Sequence, residues 1–176
     1  MRRAIEADRD QQFQAFMDRA TQRLYRVACL LTGDAGEAEE LTQHTLVRTY
    51  AAWERLDGGD PYAYARRILV NLHSDWWRRR RRRERPMPQV PERVAAGPDP
   101  ADAALDRASL TRALAHLSRR ERAVIVCRYY LDLTEQQTAA ELGVAVGTVK
   151  SACSRALRKL RVDPELRPIA HHQEAQ

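Results

Sequence analysis

Glycine is scarce in this 176-residue chain, at seven residues, and β-branched runs are short, so little favours a sheet and its tight turns. Aromatic residues make up only 6% against 31% charged, which points to small, helical, surface-rich units rather than one large core. The three cysteines, Cys29, Cys127 and Cys153, are far apart and show no C-x-x-C or Cys/His ligand spacing. They read as reduced, mostly buried thiols, and no metal site is expected. There is no paired-carboxylate, Cys/His or nucleophile constellation, so no catalytic residue is assigned, no cofactor is needed, and the chain reads as a non-enzyme. No apolar stretch approaches the roughly 20 residues of a membrane span, and "MRRAIEADRDQQF" lacks an apolar signal-peptide core. The expectation is a cytoplasmic protein without membrane insertion.

What is present is charge, unevenly placed. The net +6 divides into +2 over residues 1–33, −5 over 34–60, +7 over 61–83, −3 over 84–106, +7 over 107–161 and −2 over 162–176. Two basic blocks between acidic ones suggest two surfaces for a polyanion and a third for something basic. Solvated faces are the plainer alternative.

The remaining 44% apolar residues fall at helical spacing. Phe13, Phe16, Met17, Leu24, Val27 and Leu31 form a stripe over 10–31 that ends at Gly33. A second helix is expected over 34–53, closed by "RLDGGD". A third opens with Asp60 as N-cap and Pro61 at the first helical position, where its missing N–H costs nothing, and continues to about Arg83. "ERPMPQVPERVAAGPDPADAA" then brings five prolines without apolar periodicity, a linker between domains. Beyond it, "DAALDRASLTRALAHL" reads as one helix. "SRRERAVIVCRYYLD" follows, opened by a capping box of Ser118 and Glu121, and "TEQQTAAELG" repeats the device with Thr134 and Gln137 before the C-cap Gly143. "VGTVKSACSRALRKLR" makes the last helix, and the tail after Val162 looks frayed.

Two short helices around "LGVAVG" have helix-turn-helix spacing. On a wheel of about 100° per residue, Val149, Cys153, Ala156, Leu157 and Leu160 share one arc. Lys150, Ser151, Ser154, Arg155, Arg158, Lys159 and Arg161 occupy the other side, a basic, hydroxyl-bearing face suited to a major groove. Thr148 lies in the first turn, whose N–H groups can meet a phosphate. The same wheel splits the pair in "NLHSDWWRRRRRRERP". Trp76 falls with Tyr62, Ala65, Ile68, Leu69 and Leu72 on the core side. Trp77 falls beside Arg66, Arg67, Val70, Asn71, His73, Ser74 and Arg78, where a ring could stack on bases while cations hold the backbone. Packing against the linker or the first helix is the alternative for Trp77. In the second helix Ala38, Leu41, Thr45, Leu46, Ala52 and Trp53 point inward, leaving Glu37, Glu40, Gln43, His44 and Val47 outward. That acidic face would repel DNA and suits a basic protein partner, or simply solvent.

Those three surfaces in this order resemble the extracytoplasmic-function (ECF) sigma factors, bacterial RNA polymerase initiation subunits. "LLTGDAGEAEELTQHTLVRTYAAW" is similar to their polymerase-clamp-binding segment, and "DPYAYARRILVNLHSDWWRRRRR" to their minus-ten recognition and melting helix. "LSRRERAVIVCRYYLDLTEQQTAAELGVAVGTVKSACSRALRKLR" resembles their minus-thirty-five helix-turn-helix. "YRVACLLTGD" and "AYARRILVN" are similar to an actinobacterial subgroup, the SigE family. By position, the resemblance implies clamp contacts at Glu40 and Gln43, with His44 in place of a usual Glu. Asn71 matches the minus-ten asparagine, and the loop Leu56–Asp60 the segment that captures a flipped promoter base. Asp75 and Trp76 match a D-W pair, while Trp77 stands where the family has Leu. Lys150, Ser151, Ser154 and Arg155 match the recognition helix, Ala152 replaces an Arg, Ala145 stands where a capping Ser or Thr is usual, and Thr138 replaces an apolar residue.

The reading is therefore an all-α chain of two small helical domains joined by a Pro-rich linker, the second ending in a helix-turn-helix. Residues 1–83 would bind core RNA polymerase through Glu37, Glu40, Gln43, His44 and Val47, and would recognise and melt the minus-ten element through Arg66, Arg67, Asn71, His73, Ser74, Trp77 and Arg78. Residues 84–103 would be linker and 163–176 tail. Residues 104–162 would read the minus-thirty-five element through Thr148, Lys150, Ser151, Ser154, Arg155 and Arg158. Core RNA polymerase and promoter DNA are the implied partners. An anti-sigma factor is common in the family, though no residue here identifies one. Two rivals stay open: a dimeric transcriptional regulator using the same helix-turn-helix, and an RNA-binding adaptor using the arginine run.

Overall fold

A computed structural model describes residues 2–56, 59–83 and 110–162, the side chains of 2–7 and 76–83 excepted. Among the described residues every regular element is helical. The chain divides into two compact units, one of Met1–Ala28 with Gly36–Met87 and the other of Cys29–Ala35 with Pro88–Gln176. The expected Pro-rich linker lies outside the described residues, as do the start of the helix after it and the tail.

α1 runs Arg2–Thr32, α2 Ala35–Ala51 and α3 Pro61–Arg83, with a 3₁₀ turn at Trp53–Leu56; all of these belong to the first unit except the end of α1 from Cys29 and the first residue of α2. Most of the stripe expected on α1 is buried: Phe13, Phe16, Leu24, Val27 and Leu31 are covered, with Ala20 beside them, whereas Met17 is only half-buried. Gly33, at φ +74°, stops the helix in the left-handed conformation that favours glycine, its N–H donating to the Cys29 carbonyl at 2.9 Å. The rings of Phe13 and Phe16 stand 5.1 and 5.2 Å from that of Trp53, and Phe13 lies 4.9 Å from Tyr50. These tilted and edge-on contacts fix the end of α2 on α1. Around them Arg9 donates to Glu54 at 3.0 Å and to the Tyr50 hydroxyl at 2.5 Å, and that hydroxyl donates to Asp10 at 2.6 Å. The bond to Asp10, chiefly, raises the pKa of the Tyr50 phenol.

α2 buries threonine as well as leucine. Thr42, Thr45 and Thr49 are covered, and their hydroxyls donate to the carbonyls of Ala38, Leu41 and Thr45 at 2.7, 2.8 and 2.8 Å. Each is thereby satisfied within its own helix, which makes a β-branched polar residue acceptable in a core. Leu46, expected inside, is half-buried. Asp60 caps α3 as its sequence suggests, accepting from the N–H groups of Tyr62 and Ala63 at 2.9 and 3.2 Å.

In the second unit the chain is helical over 110–115 (α4), then over Arg119–Ile125 (α5), Glu135–Leu142 (α6) and Val146–Arg161 (α7). Both capping boxes form. Ser118 N–H donates to Glu121 at 2.9 Å while its hydroxyl accepts from Glu121 N–H, and Thr134 and Gln137 exchange bonds of 2.8 and 3.1 Å. Gly143 closes α6 at φ +63°. Ala113, Leu114, Leu117, Val124, Val126, Leu142, Val149, Ala152 and Ala156 fill the core between these helices. One feature departs from the expected single helix over "SRRERAVIVCRYYLD": α5 widens into a π-helical turn at Val126–Tyr130, with Leu131 N–H donating to the Val126 carbonyl at 3.0 Å. Tyr129 and Tyr130, at the end of that turn, are 59% and 47% exposed.

Candidate polymerase and nucleic-acid surfaces

The outward side of α2 is set by the threonine and leucine positions that face in. With Ala38, Leu41, Thr45 and Thr49 buried, Glu40, Gln43, His44 and Val47 are left exposed and Glu37 half-buried. Val47 is 66% exposed, an aliphatic group standing among polar ones. Glu40, His44 and Val47 share the wall of a cavity of about 290 Å³ with Arg48 of α2 and with Leu72 and Asp75 of α3. Arg48, Leu72 and Asp75 had no place in the face expected of α2. Their helical positions alone do not show that α2 and α3 meet at that end. The groove is thus mixed, with Leu41, Val47 and Leu72 beside Glu40, Asp75, Arg48 and His44, and suits a partner that presents aliphatic and charged side chains together.

On α3 the buried arc is rotated from the expected one. Ala65, Leu69, Val70 and His73 are covered, whereas Tyr62, Ile68 and Leu72 are half-exposed. This corrects the assignment of His73 to the DNA-facing set: it is 6% exposed, one helical turn beyond Leu69 on the packed side. Val70, expected beside the arginines, is fully buried. Apolar residues at 68, 69, 70 and 72 surround much of the helix, so periodicity could not fix which arc packs. Arg67 is exposed, and Arg66, Asn71 and Ser74 are half-buried. The side chains of Trp76, Trp77, Arg78 and the rest of the arginine run lie outside the described residues, which leaves the split between the two tryptophans an expectation. Near the loop that precedes α3, a second cavity of about 470 Å³ is lined by Trp53, Asp60 and Tyr62 together with Arg19 and Arg23 of α1. The Arg23 guanidinium sits 4.0 Å from the Tyr62 ring centroid.

α7 presents the face expected of it. Lys150, Ser151, Ser154, Arg155, Arg158, Lys159 and Arg161 are exposed and Thr148 is half-buried, while Val149, Ala152 and Ala156 are covered. Cys153, Leu157 and Leu160 are only half-buried. Ala152 is fully buried, so the position where the family has Arg lies on the docked side of the helix. Ala145 occupies the N-cap with no side-chain bond to the helix. Three of the cations meet carboxylates of other helices, Glu135 and the capping-box Glu121, pairings that the local sequence pattern does not show. Lys150 stands 3.7 Å from Glu135, Arg155 Nε 3.6 Å from Glu121, and Lys159 donates to Glu121 at 2.7 Å. Burial pushes the Glu121 carboxyl up, but the bonds from Lys159 and Ser118 outweigh it and hold the pKa below its ordinary value. Thr138, packed in the same unit, is fully buried with its hydroxyl unpartnered.

Among the described residues no group of three His, Cys, Asp or Glu could hold a metal ion, and no helix is long and apolar enough to cross a membrane. A groove of mixed charge between α2 and α3 and a basic, hydroxyl-bearing helix-turn-helix face fit the class of helical proteins that meet a polyanion on one surface and another protein on a second. The comparisons with known proteins narrow that class. Residues 16–83 match the family model for sigma-70 region 2 and residues 107–160 the model for sigma-70 region 4. The chain is 36% identical over 159 residues to the RNA polymerase sigma-E factor of Streptomyces avermitilis, covering 90% of this chain and 88% of that one. It is 39% identical over 155 residues to the ECF RNA polymerase sigma factor SigL of Mycobacterium tuberculosis, covering 84% and 86%. Among solved structures it is similar to the sigma factor RpoE crystallised with the anti-sigma factor NepR from Bartonella quintana, at a TM-score of 0.68 and 28% identity over 87% of this chain and 99% of that one. The chain belongs to the ECF sigma factors of bacterial RNA polymerase. It is an alternative sigma factor that directs transcription initiation, a regulatory subunit and not an enzyme.

Proposed function

We propose that the first unit, residues 1–83, holds core RNA polymerase through Glu37, Glu40, Gln43, His44 and Val47 on the outward side of α2. It recognises and melts the minus-ten element through Arg66, Arg67, Asn71 and Ser74 of α3, joined on sequence grounds by Trp77 and Arg78. Residues 84–103 tether it to the second unit, 104–162, which lays α7 in the major groove of the minus-thirty-five element through Thr148, Lys150, Ser151, Ser154, Arg155 and Arg158. The observation that carries this reading is the exposure pattern of α7. The helix hides Val149, Ala152 and Ala156 and offers a continuous face of cations and hydroxyls. Arg and Lys can read guanine or hold phosphate there, and Ser can contact either.

The mechanism is binding energy applied to strand separation. An extruded base loses stacking worth a few kcal/mol, which protein contacts must replace. Docking at the upstream duplex and on polymerase keeps the first unit at the step where strands part. The work takes place in the cytoplasm, where core polymerase is. An anti-sigma factor belongs to the same proposal, because the Bartonella quintana relative is solved with one.

Run-off transcription tests the whole. The chain is added to sigma-free bacterial core polymerase on genomic promoter fragments, its own upstream region included. Discrete transcripts that vanish with Glu40→Lys are expected. Specific duplex binding without any transcript would instead favour a transcriptional regulator.

A further inference from the structure

The cations of α7 are not equivalent, and what separates them is an acid on another helix. Glu121, in the first turn of α5, is 6% exposed at its side chain. One of its oxygens accepts from Ser118 N–H at 2.9 Å and from Lys159 Nζ at 2.7 Å. The other lies 3.6 Å from Arg155 Nε, an ion pair longer than a hydrogen bond. Arg155 and Lys159 are four residues apart on α7, so one carboxylate spans both. Each keeps about half its surface open, 50% and 49%, which leaves both cations able to reach a ligand.

We propose that Glu121 is the positioning residue of the DNA-facing helix: fixed by its own capping box and by Lys159, it holds Arg155 ready for the duplex without touching DNA itself. The proposal rests on the minus-thirty-five reading of α7 given above. Two physical effects follow from the geometry. A tethered arginine has less rotamer freedom left to lose when it meets a base edge, so ordering costs less on binding. The buried negative charge also offsets one of the two positive charges, which weakens attraction to any phosphate and leaves sequence-dependent contacts a larger share. Selectivity gains on both counts.

The test is a selection. Holoenzyme made from the full chain and core polymerase is incubated with duplex DNA randomised across the upstream recognition segment, and the bound fraction is sequenced. The chains compared are wild type, Glu121→Gln, Arg155→Ala and the double variant. Glutamine is the other side chain that completes a capping box, so Glu121→Gln removes the charge and keeps the cap. Expected is a loss of base preference of roughly tenfold in Glu121→Gln, at the same base pairs that Arg155→Ala relaxes, with the double variant no worse than Arg155→Ala alone. The salt dependence of non-specific duplex binding should also steepen by about one unit of slope. Unchanged preference in Glu121→Gln, or an equal further loss in the Arg155→Ala background, would overturn the positioning role. If wild type selects but Arg155→Ala selects equally well, the minus-thirty-five reading stands on other residues and this proposal falls. If wild type selects no upstream sequence, both fall. Should Glu121→Gln melt below the assay temperature, the Arg155 Nε–H resonance of the wild-type chain, assigned through Arg155→Lys, decides instead. An ordered signal that shifts as one carboxylate titrates supports the tether, and an averaged signal refutes it.

Discussion

Replacing Thr138 with valine removes a hydroxyl that the fold has buried and left alone. The residue is 0% exposed and its Oγ1 has no hydrogen-bond partner, so folding strips the hydroxyl of water and gives nothing back. Mutational data place that cost at about 1–3 kcal/mol, and valine fills nearly the same volume with a methyl group. Thr138→Val should therefore stabilise the second unit by at least about 1 kcal/mol, a rise of roughly 4–8 °C in melting temperature for a domain of this size. Thr45 supplies the contrast. It is equally buried, but its hydroxyl donates to the Leu41 carbonyl at 2.8 Å, so Thr45→Val loses a made bond and should destabilise by about 1 kcal/mol. Thermal unfolding of the full chain, followed by far-UV circular dichroism, reads both variants. Opposite signs are the expectation. A neutral or destabilising Thr138→Val would mean that the hydroxyl finds a partner in solution, and the reasoning would fail.

Two further predictions concern α5 and α7. Glu121 has its pKa lowered in the folded chain by Lys159 and Ser118 against the upward push of burial. Its stabilisation is therefore complete above the ordinary value of 4.5 and is lost as pH falls through the lowered folded value. The gap in melting temperature between wild type and Glu121→Gln should be open at pH 7 and narrow progressively as pH falls below 4.5; a gap that stays constant on acidification would show that the carboxylate charge is not what stabilises. Ala145 sits at the α7 N-cap with extended backbone, φ −70° and ψ 148°, and no side-chain bond. Ala145→Ser should add about 1 kcal/mol through a cap to the first-turn N–H groups, measurable in the same melts. No gain would show those N–H groups to be satisfied already.

What the sequence by itself determined is local. The two capping boxes, the stops at Gly33 and Gly143, the Asp60–Pro61 start of α3 and the polar face of α7 all depend on residues within about one turn of each other. A helix end needs partners only three or four residues away, so the pattern is complete in the string of letters. The outward acidic side of α2 was legible for the same reason, since Ala38, Leu41 and Thr45 repeat at helical spacing and are buried, although Leu46 is not. Tertiary structure decided what the letters left degenerate. α3 carries apolar residues around much of its circumference, and only packing within the first unit chose the arc that buries Val70 and His73. The π-helical turn at Val126–Tyr130 was equally hidden, because no residue in "VCRYY" forbids an ordinary helix. Glu121 and Lys159 lie 38 residues apart and meet at 2.7 Å only because α5 and α7 pack together. The sequence could mark a basic face on α7, whereas the acid that orders that face comes from a neighbouring helix and is visible only once the chain has folded.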